Sequence, residues 1–183
     1  MSHYPSATTP IRTFGFREVC EVNGRTFTRR KGTQQWTEHT ASSSSSNQSH
    51  LSLPLYLSLV HQRQGKGEPL HWSLFVSREN EPGYVYQVKG DAEYMSYLPS
   101  NGVVNVVQSG SFLNIYHLAA VTEGQQTVVS DVAAAEAPPR AKDRKSVTEN
   151  CQGWTIRVIT KLVGLGLVPT AKLEMARSMV ETI

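Results

Sequence analysis

Apolar and polar positions alternate with a period of two in several short runs, and in the last third of the chain the apolar ones recur every three to four residues. The first run, Ile11 to Val22, carries Phe14, Phe16, Val19 and Val22 and predicts a strand or strand pair. Asn23-Gly24 is a hairpin turn signal, so Arg25 to Thr28 is expected to return antiparallel. Leu53 to His61 predicts a strand beginning beside Pro54. In His71-Trp72-Ser73-Leu74-Phe75-Val76-Ser77, alternation puts Trp72, Leu74 and Val76 on one face and His71, Ser73, Phe75 and Ser77 on the other. Tyr84 to Lys89 reads as one further strand, and Val103 to Gln108 with Phe112 to Ala120 as a hairpin. Thr127 to Ala137 is Ala-rich and ambiguous, and Pro138-Pro139 ends it.

The period then changes. Ser146-Val147-Thr148-Glu149 matches a capping box, with Thr148 as an alternative cap. Cys151, Trp154, Val158, Leu162 and Leu165 follow as an apolar stripe, with Arg157 and Lys161 off it, which predicts an amphipathic helix ending near Gly164 or Gly166. A short helix from Thr170 to Glu181 is expected after Pro169. Strands followed by helices without regular alternation predict an α+β fold, with a mainly antiparallel sheet against the helix that bears Cys151.

The length of 183 residues fits one domain over residues 1–183. Residues 32–50 break the pattern: mostly polar and holding five consecutive serines, Ser42 to Ser46, they read as a mobile loop because they bury too little to offset ordering entropy. Apolar residues are 39% of the chain, which excludes wholesale disorder. A net charge of +3 is too small to mark a nucleic-acid binder, and the basic clusters Arg25/Arg29/Arg30/Lys31 and Arg140/Lys142/Arg144/Lys145 read as solvated surface. The longest greasy stretch, Leu162 to Val168, is far short of the ~20 residues of a membrane span. No secretory signal or lipidation motif is visible, and two cysteines make no disulfide framework, so a cytoplasmic protein is expected. No His/Cys/Asp/Glu spacing suits a metal, and no cofactor is expected.

The candidate chemistry centres on Cys151. In the first turns of a capped helix its sulfur meets unpaired N–H groups and the positive dipole end, both of which favour the thiolate, the nucleophilic form. Its place on the apolar stripe turns it toward the sheet, where His71 opens a strand. A Cys–His pair with a polar group orienting the imidazole is the minimum for covalent acyl transfer.

These motifs carry a resemblance. His71-Trp72-Ser-Leu-Phe-Val, then Gln87-Val88-Lys89-Gly90, then Asn150-Cys151-Gln152-Gly153-Trp154 is similar to the circularly permuted papain-like thiol proteins of the NlpC/P60 superfamily, notably the lecithin–retinol-acyltransferase-like members. It also resembles a group of small fungal proteins with a His-Trp strand and an Asn-Cys-Gln-x-Trp helix. The resemblance covers about residues 70–165. It implies Cys151 as nucleophile, His71 as general base and Gln87 as orienting residue, where many members have a second His. It makes Trp72 and Trp154 packing residues and gives Asn150 or Gln152 to the oxyanion. The implied activity is thiol-dependent acyl transfer, or hydrolysis of an amide, ester or thioester, on a small-molecule or peptide substrate. The alternative is a binding module, or a non-covalent enzyme of a fungal-type biosynthetic pathway. The substrate-binding candidates are then Trp72, Tyr86, Asn150 and Gln152.

Overall fold

The computed structural model describes residues 5, 9–14, 17–31, 34–39 and 54–182. Most of the Ser-rich segment therefore lies outside the described residues. Contacts group the chain into two compact units, Met1–Ser52 and Leu53–Ile183, where the sequence reads as one domain.

The first unit is an antiparallel meander of β1 (Arg12–Phe14), β2 (Arg17–Val22), β3 (Arg25–Arg30) and β4 (Thr37–His39). Asn23 and Gly24 both take positive φ, 53° and 73°, the turn geometry whose twist matches that of the flanking strands. Cys20 opposes Phe27 across the ladder and both are buried. Arg29 pairs with Glu18 at 2.5 Å and lies 4.4 Å over the Trp36 ring, so this member of the basic cluster is engaged within its own unit.

The second unit holds His71, Gln87 and Cys151. Its strands are β5 (Leu55–Gln62), β6 (His71–Arg78), β7 (Tyr84–Tyr86), β8 (Val88–Gly90), β9 (Met95–Tyr97) and β10 (Phe112–Val121); its helices are α1 (Glu123–Ala135), α2 (Cys151–Gly164) and α3 (Thr170–Arg177). Four strands form an antiparallel sheet in the order β10-β5-β6-β7, and β8 and β9 pair separately. With α2 packed on β6, the fold is α+β with a mainly antiparallel sheet, as the sequence predicts.

Alternation along β5 and β6 sorts the core. Leu57, Leu59, Trp72, Leu74 and Val76 join Cys151, Trp154, Val158, Ile159 and Leu162 in one cluster. Val60 and Phe75 join Val85 and Val106 in another, on the opposite face. Gly83 hydrogen-bonds Val104 in both directions and sits so close to β6 that a Cβ there would run into the Val76 carbonyl.

Several local expectations change. Tyr84 to Lys89 is two strands, because β7 pairs with β6 while β8 leaves the sheet to pair with β9. Val103 to Gln108 is no hairpin arm: Val104 makes an isolated bridge, Val106–Gln108 is a 3-10 turn, and β10 pairs instead with β5. The ambiguous Ala-rich segment is α1, which begins earlier than the composition suggests because Thr122 and Gln125 form a reciprocal capping box. The cap of α2 is Asn150, whose Oδ1 accepts the Gln152 N–H at 2.9 Å, rather than Ser146 or Thr148. Ser146 belongs to a separate 3-10 turn, Arg144–Ser146, capped by Asp143. At its other end α2 closes through Gly166 at φ 73°, with Gly166 N–H to Val163 O and Leu167 N–H to Leu162 O, both 2.9 Å. That pairing satisfies carbonyls the helix would otherwise orphan. α3 ends at Arg177, so Glu181 lies beyond it.

The charged residues off the stripe fasten α2 to the end of α1. Glu136 receives Arg157 Nε and Lys161 Nζ, each at 2.6 Å, and Arg157 also reaches Glu149. Burial alone would push the Glu136 carboxyl up, but the hydrogen bonds from Lys161 and Arg157 outweigh it and hold it below its ordinary range.

Candidate active site

Strand β6 begins at His71, at the end of the sheet, and α2 begins at Cys151. The Cys151 Sγ donates to the Leu70 carbonyl at 3.9 Å, so the sulfur lies against the backbone that carries the imidazole. Cys151 is 2% exposed and His71 9%. The His71 ring bonds through Nε2 to Gln87 Oε1 at 2.9 Å. An amide oxygen only accepts, so Nε2 carries the proton and Nδ1 keeps its lone pair, the form a general base needs. Gln87 can do this because the chain breaks between β7 and β8 at this residue, and its carbonyl accepts from Leu98 N–H instead of entering the ladder.

The expectation of a thiolate meets a stronger opposing effect. Burial pushes the Cys151 thiol up from its ordinary value, more than the N–H groups of Trp72, Cys151 and Gln152 pull it down, and the Glu181 charge adds to the rise. The magnitudes explain the order: a helix terminus supplies ~0.3–1 kcal/mol, less than the ~1.4 kcal/mol of one pKa unit, while full burial shifts pKa by several units. With its pKa raised, the resting group is a thiol, and the Leu70 carbonyl is its acceptor.

The other candidates divide. Trp72 is fully buried, its ring stacked 4.6 Å from that of His61, and Tyr86 is 5% exposed with its hydroxyl bonded to Gln126 and Ser130 of α1. Both are core side chains. Trp154 is also core, its Nε1–H donating to Glu136 O at 3.1 Å. Gln152 is fully buried but keeps a polar task, donating to Leu70 O at 2.9 Å and to Glu181 Oε2 at 2.7 Å. Asn150 caps the helix and lines a cavity of about 430 Å³ with Thr148, Glu149, Gly153, Val180 and Glu181. A second cavity, about 450 Å³, opens at His71 and includes Arg63, Lys89 and Ser111.

Two participants escaped the sequence reading. His61 closes β5 on the face of Leu57 and Leu59, the face that holds Cys151, and is 4% exposed. Applying the period of two to its strand would have found it. Glu181 follows a short helix with no motif around it, and only the tertiary fold brings it here.

Both buried histidines are held neutral. Burial lowers the His71 pKa, Gln87 partly restores it and the Lys89 charge lowers it again; burial lowers that of His61 and the Glu181 charge partly restores it. Depressed folded values mean their contribution is complete above the ordinary 6.5 and is lost as pH falls through the folded values. Urea midpoints measured from pH 7.5 down to 5 should fall, with a slope of up to about 1.4 kcal/mol per pH unit for each histidine. A midpoint flat across that range would show that neither ring resists protonation.

Residues 57–169, more than half of the chain, match a family described as a family of unknown function, DUF6540. The chain belongs to that family. The matched segment includes His71, Gln87 and Cys151 and stops short of Glu181. No curated protein and no solved structure matches. Among the described residues no helix is long and apolar enough to cross a membrane.

Proposed function

We propose that this DUF6540 protein performs thiol-mediated acyl transfer or hydrolysis of an amide, ester or thioester, on a permuted papain-like arrangement in which the histidine strand precedes the cysteine helix. The observation that carries the reading is the pairing of His71 Nε2 with Gln87 Oε1 at 2.9 Å, on a strand that starts one residue after the Leu70 carbonyl on which the Cys151 sulfur leans. It leaves Nδ1 as the free base on the imidazole of the residue that follows Leu70, whose carbonyl holds the thiol.

The step follows from the resting thiol. Sγ–H turns from Leu70 O to His71 Nδ1, which takes the proton as sulfur bonds to the substrate carbonyl carbon. N–H groups at the start of α2 stabilise the oxyanion, the bond to the leaving group breaks, and Nδ1–H returns the proton to that group. Water or a second nucleophile then releases the acyl group from sulfur. The cavity at His71, with Arg63 and Lys89 in its wall, favours a polar substrate carrying negative charge. Both cysteines are free thiols, which fits a reducing compartment such as the cytoplasm.

A second reading, a binding module on the same fold, is favoured by one observation: the Cys151 thiol is buried, protonated and already bonded to a carbonyl. Mass spectrometry separates the two. Incubated with a panel of activated acyl esters and thioesters, the wild-type chain should gain one acyl mass on Cys151, and Cys151→Ala should gain none. No acyl adduct with any donor, while Cys151 still alkylates with iodoacetamide, would leave the binding module standing.

A further inference from the structure

Glu181 lies exposed, yet its polar atoms are held at three points. Its Oε2 accepts from the Leu70 N–H and from Gln152 Nε2, both at 2.7 Å, and its own N–H donates to Gln152 Oε1 at 2.8 Å. Gln152 thus reads two features of one residue, an acylated backbone N–H and a side-chain carboxylate. The carboxamide that does so is fully buried and fixed from behind by Leu70 O at 2.9 Å. A rigid, buried donor–acceptor pair aimed at an exposed residue is built like a binding site, with neutral donors selecting for an anion.

The space to admit a ligand is present. The cavity of about 430 Å³ at the start of α2 has Glu181 and Val180 as part of its wall, so moving the 180–182 segment opens it further. The other carboxylate in that wall, Glu149, is paired with Arg157, which reduces its repulsion of an incoming anion. The neighbourhood also feels Glu181: its charge raises the pKa of both Cys151 and His61, which brings the thiol and a second imidazole within its field.

We propose that the nook formed by the Leu70 N–H and the Gln152 carboxamide is a subsite for an N-acylated acidic residue beside the Cys151 thiol, filled by the chain's own Glu181 until such a ligand displaces it. The 180–182 segment is then an internal competitor. Being tethered, it acts at an effective concentration of order millimolar, so a free ligand must match that or the segment must be released. The subsite stands whether or not the thiol turns over substrate, because it concerns recognition alone.

The test follows alkylation of Cys151 by iodoacetamide at constant pH in the full chain, with N-acetyl-glutamate and N-acetyl-glutamine as probes. Glu181→Ala should label several-fold faster than wild type. About 10 mM N-acetyl-glutamate, chosen to exceed that effective concentration, should bring the rate back toward the wild-type value, while N-acetyl-glutamine leaves it high. Adding Gln152→Leu to Glu181→Ala should abolish the protection. Equal rates for wild type and Glu181→Ala, or equal protection by the two probes, would overturn the subsite. Glu181→Gln, which keeps the shape and removes the charge, gives the same readouts should the alanine variant fold poorly. Since no acyl donor is present, the outcome is independent of whether Cys151 forms an acyl adduct.

Discussion

Trp154→Ala lowers the unfolding free energy of the Leu53–Ile183 unit by about 3–5 kcal/mol, the range for truncating a fully buried Trp. Three losses add up. The indole is fully buried in the cluster that joins α2 to β6, so its removal takes away apolar burial and leaves a cavity. Its Nε1–H satisfies the Glu136 carbonyl just past the end of α1, at 3.1 Å, and that acceptor loses its partner. Its ring also lies 6.0 Å from that of Tyr97, joining β9 to α2. Against a typical total of ~5–15 kcal/mol, the loss removes about a fifth or more of the stability. With a urea slope of about 1–3 kcal/mol per molar, the midpoint should move down by about 1 M or more. Val107→Ala, at a residue 49% exposed, should change stability by no more than ~0.5 kcal/mol. A Trp154→Ala midpoint close to that of Val107→Ala would mean that α2 does not depend on this side chain for its seat.

The same residue shows what was legible in the sequence. The Cys151–Trp154–Val158–Leu162 stripe and the Trp72–Leu74–Val76 alternation are both local periodicities, and the structure joins them in one cluster. Burial of one face is what writes such a pattern, so the two faces that bury each other could be read before they were seen to meet. Gln87 is the opposite case. Nothing in Tyr84 to Lys89 marks a break, because the break arises when β8 finds its partner in β9, a pairing set by residues further along. The resemblance supplied Gln87 as an orienting residue, and the contact with His71 exists because of a strand end that local reading missed. The protonation state of Cys151 lay further out of reach. Its position at a helix start is a sequence property that lowers pKa, whereas the burial that overrides it comes from everything packed around it.

Under the proposed thiol mechanism, His71→Ala should slow acylation of Cys151 by about 10²–10⁴-fold, the usual worth of a positioned general base. The loss sits at the upper end of what this site can show, because the resting group is a thiol and no preformed thiolate is there to react without a base. Gln87 separates a positioning role from a merely structural one. Gln87→Leu leaves Nε2–H buried without an acceptor and no longer holds the proton on that nitrogen, so the base form is lost in part. The imidazolium formed in the step needs that acceptor more than the neutral ring does, and losing ~1–3 kcal/mol of that extra stabilisation converts to a rate loss of roughly 5–150-fold. Gln87→Glu keeps the acceptor and adds a negative charge against the ring, which stabilises the imidazolium and raises the His71 pKa from its depressed value. The acid limb of the pH–rate profile should then move to higher pH, and the rate above that limb should exceed wild type because Nδ1 has become the stronger base. Urea unfolding of each variant at the assay pH separates lost structure from lost base. If Gln87→Leu acylates at the wild-type rate while remaining folded, or if Gln87→Glu leaves the acid limb where it was, then the imidazole bonded to Gln87 is not the one that takes the proton, and His61, the other buried ring in the field of Glu181, becomes the base to replace next.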